Sequence, residues 1–182
     1  MKIVCVGDSN TYGYDPRSYI GGRYDADIRW TGLLQKAGFE VVNLGVNGAQ
    51  IPARDVTIEN LRRQLESLRP TDLVTVMLGS NDLLMGFSPA QAALRMANLL
   101  DALADFPILL VAPVRMQPGA WVENAETVRA AEALATHYAA LAKKRGLPFH
   151  DPGLCELTYD GVHLSPEGHR QFAERLMEAL DG

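Results

Sequence analysis

Four short stretches of the chain hold groups that could perform one reaction together. Gly7-Asp8-Ser9-Asn10 offers a hydroxyl, Asn43-Leu44-Gly45-Val46-Asn47-Gly48 offers glycine N–H groups, Gly79-Ser80-Asn81-Asp82 a side-chain amide, and Asp160-Gly161-Val162-His163 a carboxylate beside an imidazole. A serine hydroxyl is a weak nucleophile at neutral pH and needs a base to take its proton as it attacks, usually a histidine. His163 is the candidate base for Ser9. Asp160 stands three residues earlier, so a tight turn can fold its carboxylate onto Nδ1 and leave Nε2 facing the serine. Acyl transfer is the chemistry these groups suit, because its tetrahedral intermediate carries an oxyanion that preplaced donors stabilise.

The elements around these stretches read as alternating strands and helices. Lys2-Ile3-Val4-Cys5-Val6 is a β-branched run stopping at Gly-Asp-Ser, the pattern of a buried parallel strand that delivers Ser9 to the carboxyl edge of a sheet. The stretch from Asn10 to about Asp27 is polar and irregular and reads as a loop rimming the site. A short helix follows over Ile28–Ala37, stopped by Gly38, and then a strand over Phe39–Leu44. Val56, Leu61, Leu65 and Leu68 mark a helix from about Ala53 to Leu68, and Asp72–Leu78 is a central strand. Ser88-Pro89 caps a helix whose apolar spacing runs through Leu94, Ala97, Leu100 and Leu103. Pro107–Ala112 and Leu147–His150 are the last strands, separated by a helix from about Asn124 to Arg145, and Ser165-Pro166 caps a closing helix. Such alternation predicts right-handed βαβ crossovers. The fold class expected is a three-layer α/β/α sandwich on a parallel sheet of about five strands.

Composition bounds the rest. A chain of 182 residues, 47% hydrophobic and 21% charged, fits one globular domain over residues 1–182. The net charge of −5 gives no bulk attraction to a phosphate backbone or an anionic membrane, so neither nucleic acid nor membrane is an expected partner. Met1 leads directly into a strand without a signal-like segment, which makes a cytoplasmic location the default expectation. No apolar run reaches the roughly 18 residues a membrane span needs. Cys5 and Cys155 have neither disulfide-scaffold nor metal-type spacing and read as reduced thiols. No His-Glu-x-x-His motif is present either, so no metal is expected. A homo-oligomer stays open.

In this order, the four stretches resemble the SGNH (GDSL-type) hydrolase superfamily, and the match covers nearly the whole chain. Arg23-Tyr24-Asp25-Ala26-Asp27-Ile28-Arg29-Trp30-Thr31-Gly32-Leu33-Leu34 is similar to the segment after the nucleophile in its arylesterase-like branch. The resemblance implies a serine esterase acting on small carboxylic esters through an acyl-enzyme on Ser9, with Asp160 and His163 completing the triad and no cofactor. It implies an oxyanion hole of the Ser9 N–H, the Gly48 N–H and the Asn81 amide, with Gly45 as a turn glycine. Asp8 and Asp82 are expected to hold the loops. Asn47 and Trp121 are the candidate substrate-binding residues. Short loops favour acetyl-like over long acyl groups.

Other readings stay beside this one. Within enzymes they are an acyl thioesterase or lysophospholipase and a carbohydrate O-deacetylase. Outside enzymes, a flavodoxin-like binding or phospho-acceptor domain would use Asp8 as its acidic residue, although no Gly-rich phosphate loop is present. The absence of a Gly-x-Ser-x-Gly elbow disfavours the α/β-hydrolase fold. His137 and His169 read as surface residues, Trp30 as core, His150-Asp151 as a pair supporting the catalytic edge, and Arg29 as an anchor for Asp25.

Overall fold

The computed structural model describes residues 1–18 and 20–181. Five strands, β1 (Lys2–Gly7), β2 (Glu40–Gly45), β3 (Leu73–Met77), β4 (Ile108–Val111) and β5 (Phe149–His150), form one sheet in the order β2-β1-β3-β4-β5, every neighbour parallel. The helices are α1 (Ser9–Tyr12), α2 (Trp30–Lys36), α3 (Asp55–Ser67), α4 (Ser80–Leu84), α5 (Pro89–Ala102), α6 (Ala125–Arg145) and α7 (Pro166–Asp181). The expected three-layer architecture is observed.

Alternation along β1 shows why the sheet is covered twice. Val4 and Val6 join one apolar cluster with Leu65 of α3, Met96 and Leu99 of α5, and Leu134 and Tyr138 of α6. Ile3 and Cys5 point the other way, into a cluster with Trp30 and Leu34 of α2 and Phe172 and Leu176 of α7. A strand buried on both faces has no polar alternation to display, which accounts for its continuous apolar run.

Helix ends follow local chemistry. Ser88 accepts a hydrogen bond from the Gln91 N–H and Gln91 returns one to the Ser88 N–H, a reciprocal cap that starts α5 at Pro89. Asn124 caps α6, and Gly146 ends it in the left-handed region. Leu100 and Leu103 face the core as expected of this helix, joined by Ala92, Met96 and Leu99, while Leu94 is 65% exposed. Val56 of α3 is likewise exposed. In both helices the first of the expected apolar residues lies off the core-facing stripe, and a singly exposed Leu or Val is part of the ordinary surface. The two single-turn helices α1 and α4 are too short to give a periodic signal, and both fall inside the chemical stretches.

Parallel pairing sets the site. Gly7 stands opposite Gly45 on one side and Met77 on the other. The loops after β1, β2 and β3 therefore leave the sheet at one level, with the nucleophile strand between the two that carry the other donors. This is also where connections diverge, to β2 on one side and β3 on the other, the crevice in which open α/β sheets bind ligands. Gly45 is not the turn glycine expected. It ends β2 with the α1 backbone pressed against it, and a Cβ there would sit 2.2 Å from the Tyr12 nitrogen.

Among the described residues no helix is long and apolar enough to cross a membrane, and no cluster of His, Cys, Asp or Glu could hold a metal ion. Cys5 and Cys155 are both buried free thiols.

Candidate active site

Asp8 is the N-cap of α1, accepting a hydrogen bond from the Asn10 N–H at 2.9 Å, and this turn puts Ser9 at the first helical position. Ser9 Oγ lies 2.9 Å from His163 Nε2. On the other side of the ring, Nδ1 is 2.7 Å from Asp160 Oδ2. Asp160 Oδ1 accepts two further hydrogen bonds, from the Val162 and His163 N–H groups at 2.9 Å each, so the carboxylate closes its own turn. With Asp160 ionised, Nδ1 carries the proton and Nε2 is free to accept one from the hydroxyl.

These environments move the two carboxyl groups oppositely. Burial works to raise Asp160, but hydrogen bonds from the His163 ring and from the His163 and Val162 amides hold it down to about 2. Asp8 is pushed up to about 6 by burial, which the Asn10 amide and the nearby His163 offset only in part.

The loop bearing His163 lies far from Ser9 in sequence and is fastened to it by Asn10. The Asn10 amide donates to the Val162 carbonyl at 3.0 Å and its Oδ1 accepts from the Leu164 N–H at 2.9 Å, gripping the backbone on both sides of His163. Trp30 Nε1 donates to the Asn10 carbonyl at 3.0 Å. Behind it, the Trp30 N–H donates to Nδ1 of His169. His169 is thus a correction to the surface reading: it is 1% exposed, its ring meets Tyr24 edge-on, and burial lowers its pKa to about 3, keeping it neutral.

Asn81, in the first turn of α4, donates through Nδ2 to the Ala49 carbonyl at 2.9 Å. An amide has two N–H donors, so the second is available to a ligand. Gly48 has φ +72°, the left-handed region. Among the described residues neither the Ser9 nor the Gly48 N–H donates to another protein group. Ser9, Tyr14, Asn47, Gly48, Asn81, Trp121 and His163 line one cavity of about 330 Å³. The structure brings together every predicted site residue.

Two aromatic rings flank the imidazole. Trp121 meets His163 edge-on at 5.1 Å between centroids, and its backbone N–H donates to the Asp160 carbonyl at 3.0 Å. Tyr14 stands 4.8 Å away, tilted by 57°. Sequence reasoning missed Tyr14 and Asn10, since neither belongs to a periodic element. Their closeness to Ser9 was the one available signal.

Two expected supports are not part of the site. Asp151 forms a two-pronged ion pair with Arg115 at 2.6 and 2.7 Å, and His150 is buried beside Phe172, so neither reaches the triad. Arg29 makes no ion pair with Asp25. Its N–H bonds to the Asp25 carbonyl and its side chain packs against Gly13.

The sequence profile of the GDSL-like lipase/acylhydrolase family matches residues 5–171, which spans the stretches carrying Ser9 through His163. The chain belongs to that family. Solved structures agree over nearly the whole chain. An aryl esterase from M. smegmatis is 28% identical, with 99% of this chain and 98% of that one covered at a TM-score of 0.84. Est24, a carbohydrate acetylesterase from Sinorhizobium meliloti, is 25% identical with the same coverage and TM-score. A carbohydrate acetylesterase family member from that organism is 29% identical, covering 98% and 96%, with a TM-score of 0.85. Among curated protein sequences no match was found. As a member of this family the chain is a serine ester hydrolase, which displaces the phospho-acceptor alternative for Asp8.

Proposed function

We propose that this hydrolase cleaves small, short-acyl carboxylic esters through an acyl-enzyme on Ser9. The observation that carries this reading is His163 held between Ser9 Oγ at 2.9 Å and Asp160 at 2.7 Å. In acylation the Ser9 proton passes to His163 Nε2 while Oγ bonds to the ester carbon. The carbonyl oxygen becomes an oxyanion that accepts from the Ser9 N–H, the Gly48 N–H and the free Asn81 N–H. Collapse breaks the bond to the alcohol oxygen, which takes the proton from His163. Water then repeats the sequence, giving its proton to His163 and its oxygen to the acyl carbon, and Ser9 recovers its hydrogen as the acid departs.

The substrate class rests on size and lining. A cavity of about 330 Å³ lies near the lower end of small-molecule sites and has to hold acyl and alcohol parts together. Asn47 and Trp121 line it, with Trp121 half exposed at the mouth. The aryl esterase and carbohydrate acetylesterase names of similar structures accord with a small acyl group on a ring-bearing alcohol.

The test is hydrolysis of nitrophenyl acetate, butyrate and decanoate by wild type and Ser9→Ala, beside an acetylated sugar and an acyl thioester. Acetate should be the best nitrophenyl substrate, and Ser9→Ala should be inert on all. Preference for decanoate or the thioester would replace the short-acyl ester reading.

A further inference from the structure

The loop joining β2 to α3 carries Gly48 in a turn closed by the Ala49 N–H donating to the Val46 carbonyl at 3.1 Å, and the Val46 N–H donates to the Gly7 carbonyl at 3.1 Å, but no side chain packs on Gly48 itself. No atom lies within 4 Å of where its Cβ would be, and Asn47 beside it is exposed. Its side-chain anchors come slightly later. The Ala49 carbonyl accepts from Asn81, and Ile51 is gripped at both backbone groups: its N–H donates to Asp82 Oδ2 at 3.0 Å and its carbonyl accepts from Arg95 Nη2 at 2.8 Å. Asp82 is fully buried, and Arg95 Nε forms an ion pair with its second oxygen at 3.2 Å. One guanidinium therefore spans the acid of α4 and the backbone of the loop, and it also lies 4.5 Å over the Phe87 ring. A planar guanidinium presents its donors in a fixed fork that spans both partners, whereas an ammonium offers its three donors from one compact point on a flexible stem.

We infer that Arg95, together with Asp82, is a positioning residue that sets the Gly48 N–H in the oxyanion hole by clamping Ile51. The inference rests on the reading of Gly48 as an oxyanion donor. Among the described residues the partners of Arg95 are Ile51, Asp82 and Phe87, none of which lines the cavity, so it acts through the loop. A donor displaced by a fraction of an ångström still admits substrate but bonds less well to charge present only in the transition state. The loss should appear in kcat.

The experiment compares wild type, Ser9→Ala, Arg95→Lys, Arg95→Ala, Asn81→Ala and the Arg95→Ala/Asn81→Ala double variant on nitrophenyl acetate, with thermal melting as the folding check. Arg95→Ala should lower kcat by about tenfold with KM within about twofold of wild type, on the scale of losses seen when supporting contacts are cut. Arg95→Lys keeps the charge but not the fork, so it should resemble Arg95→Ala; it also serves if Arg95→Ala does not fold. Because Asn81 anchors the same loop, the double variant should lose less than the product of the single losses. Full kcat in a folded Arg95 variant, a change confined to KM, or multiplicative losses would overturn the inference. Ser9→Ala separates the two proposals: if it is inert while Arg95 variants keep full kcat, only the clamp is wrong. If Ser9→Ala turns over normally, the esterase reading fails and the clamp with it.

Discussion

Asp8 and Asp160 are sealed from solvent within one site, 1% and 0% exposed, yet their carboxyl groups are held at about 6 and about 2. Burial raises both. Donors make much of the difference, and the Asp82 charge adds to it by raising Asp8. Asp8 belongs to the turn that leaves β1 and has one amide hydrogen bond, from Asn10. Asp160 belongs to a loop closed on itself and has three, two from backbone amides and one from the imidazole. The strand-edge half of the site is thus shaped by backbone geometry and tolerates a poorly solvated acid. The distant acid–base half is shaped by amide and imidazole hydrogen bonds onto a carboxylate, which favour its charge.

The largest effect should come from parting the halves chemically. Ser9→Ala and His163→Ala should each cut kcat by about 10⁴-fold or more, and the double variant should be little worse, since the two act as one unit. Steady-state turnover with burst titration would show it, and a double loss near the product of the singles would mean they act separately.

Asn81→Ala probes the strand-edge half alone, with an expected kcat loss of about 100- to 1,000-fold and a smaller change in KM. A variant that raised only KM would place Asn81 in substrate binding instead.

Asn10→Ala probes the join. It removes both hydrogen bonds gripping the His163 loop and leaves the buried Val162 carbonyl and Leu164 N–H unpaired, a cost of about 1–3 kcal/mol each before the loop relaxes. Denaturant titration should show lower stability, and turnover should fall while phosphonate labelling of Ser9 slows in parallel. Unchanged stability would indicate that the loop is held by its own turn.

The smallest effect tests the carboxylates themselves. The folded state binds the Asp8 proton more tightly than the unfolded chain does, so its contribution is full below pH 3.8 and is lost as pH rises through about 6. Asp8→Asn should therefore gain on wild type across that window, by at most about 3 kcal/mol at neutral pH. Asp160 has the opposite sign: its contribution is present above pH 3.8 and is lost as pH falls through about 2. Melting curves from pH 3 to 8 should show the Asp8→Asn difference widening up to pH 6 and then levelling, and a flat difference would mean Asp8 is not destabilised by burial.

Much of this molecule was legible along the chain because the signals are local. Apolar runs mark strands sealed on both faces, Ser88-Pro89 and Gly146 mark helix ends, and Asp160 three residues before His163 is a turn that makes its own hydrogen bonds. Even the shared level of the first three loops follows from parallel strands ending in step. Tertiary structure alone decided what joins segments without a periodic relation. Asn10 reaches the His163 loop 152 residues away, Arg95 grips Ile51 44 residues away, and His169 is drawn into the core to accept from Trp30. A side chain's partner across such distances depends on how the helices pack over the sheet, and nothing in its own neighbourhood of the sequence encodes that. Burial works the same way: Asp8 and Asp160 are one residue type, and the burial, donors and neighbouring charges the fold gives each separate an acid held near 6 from one held near 2.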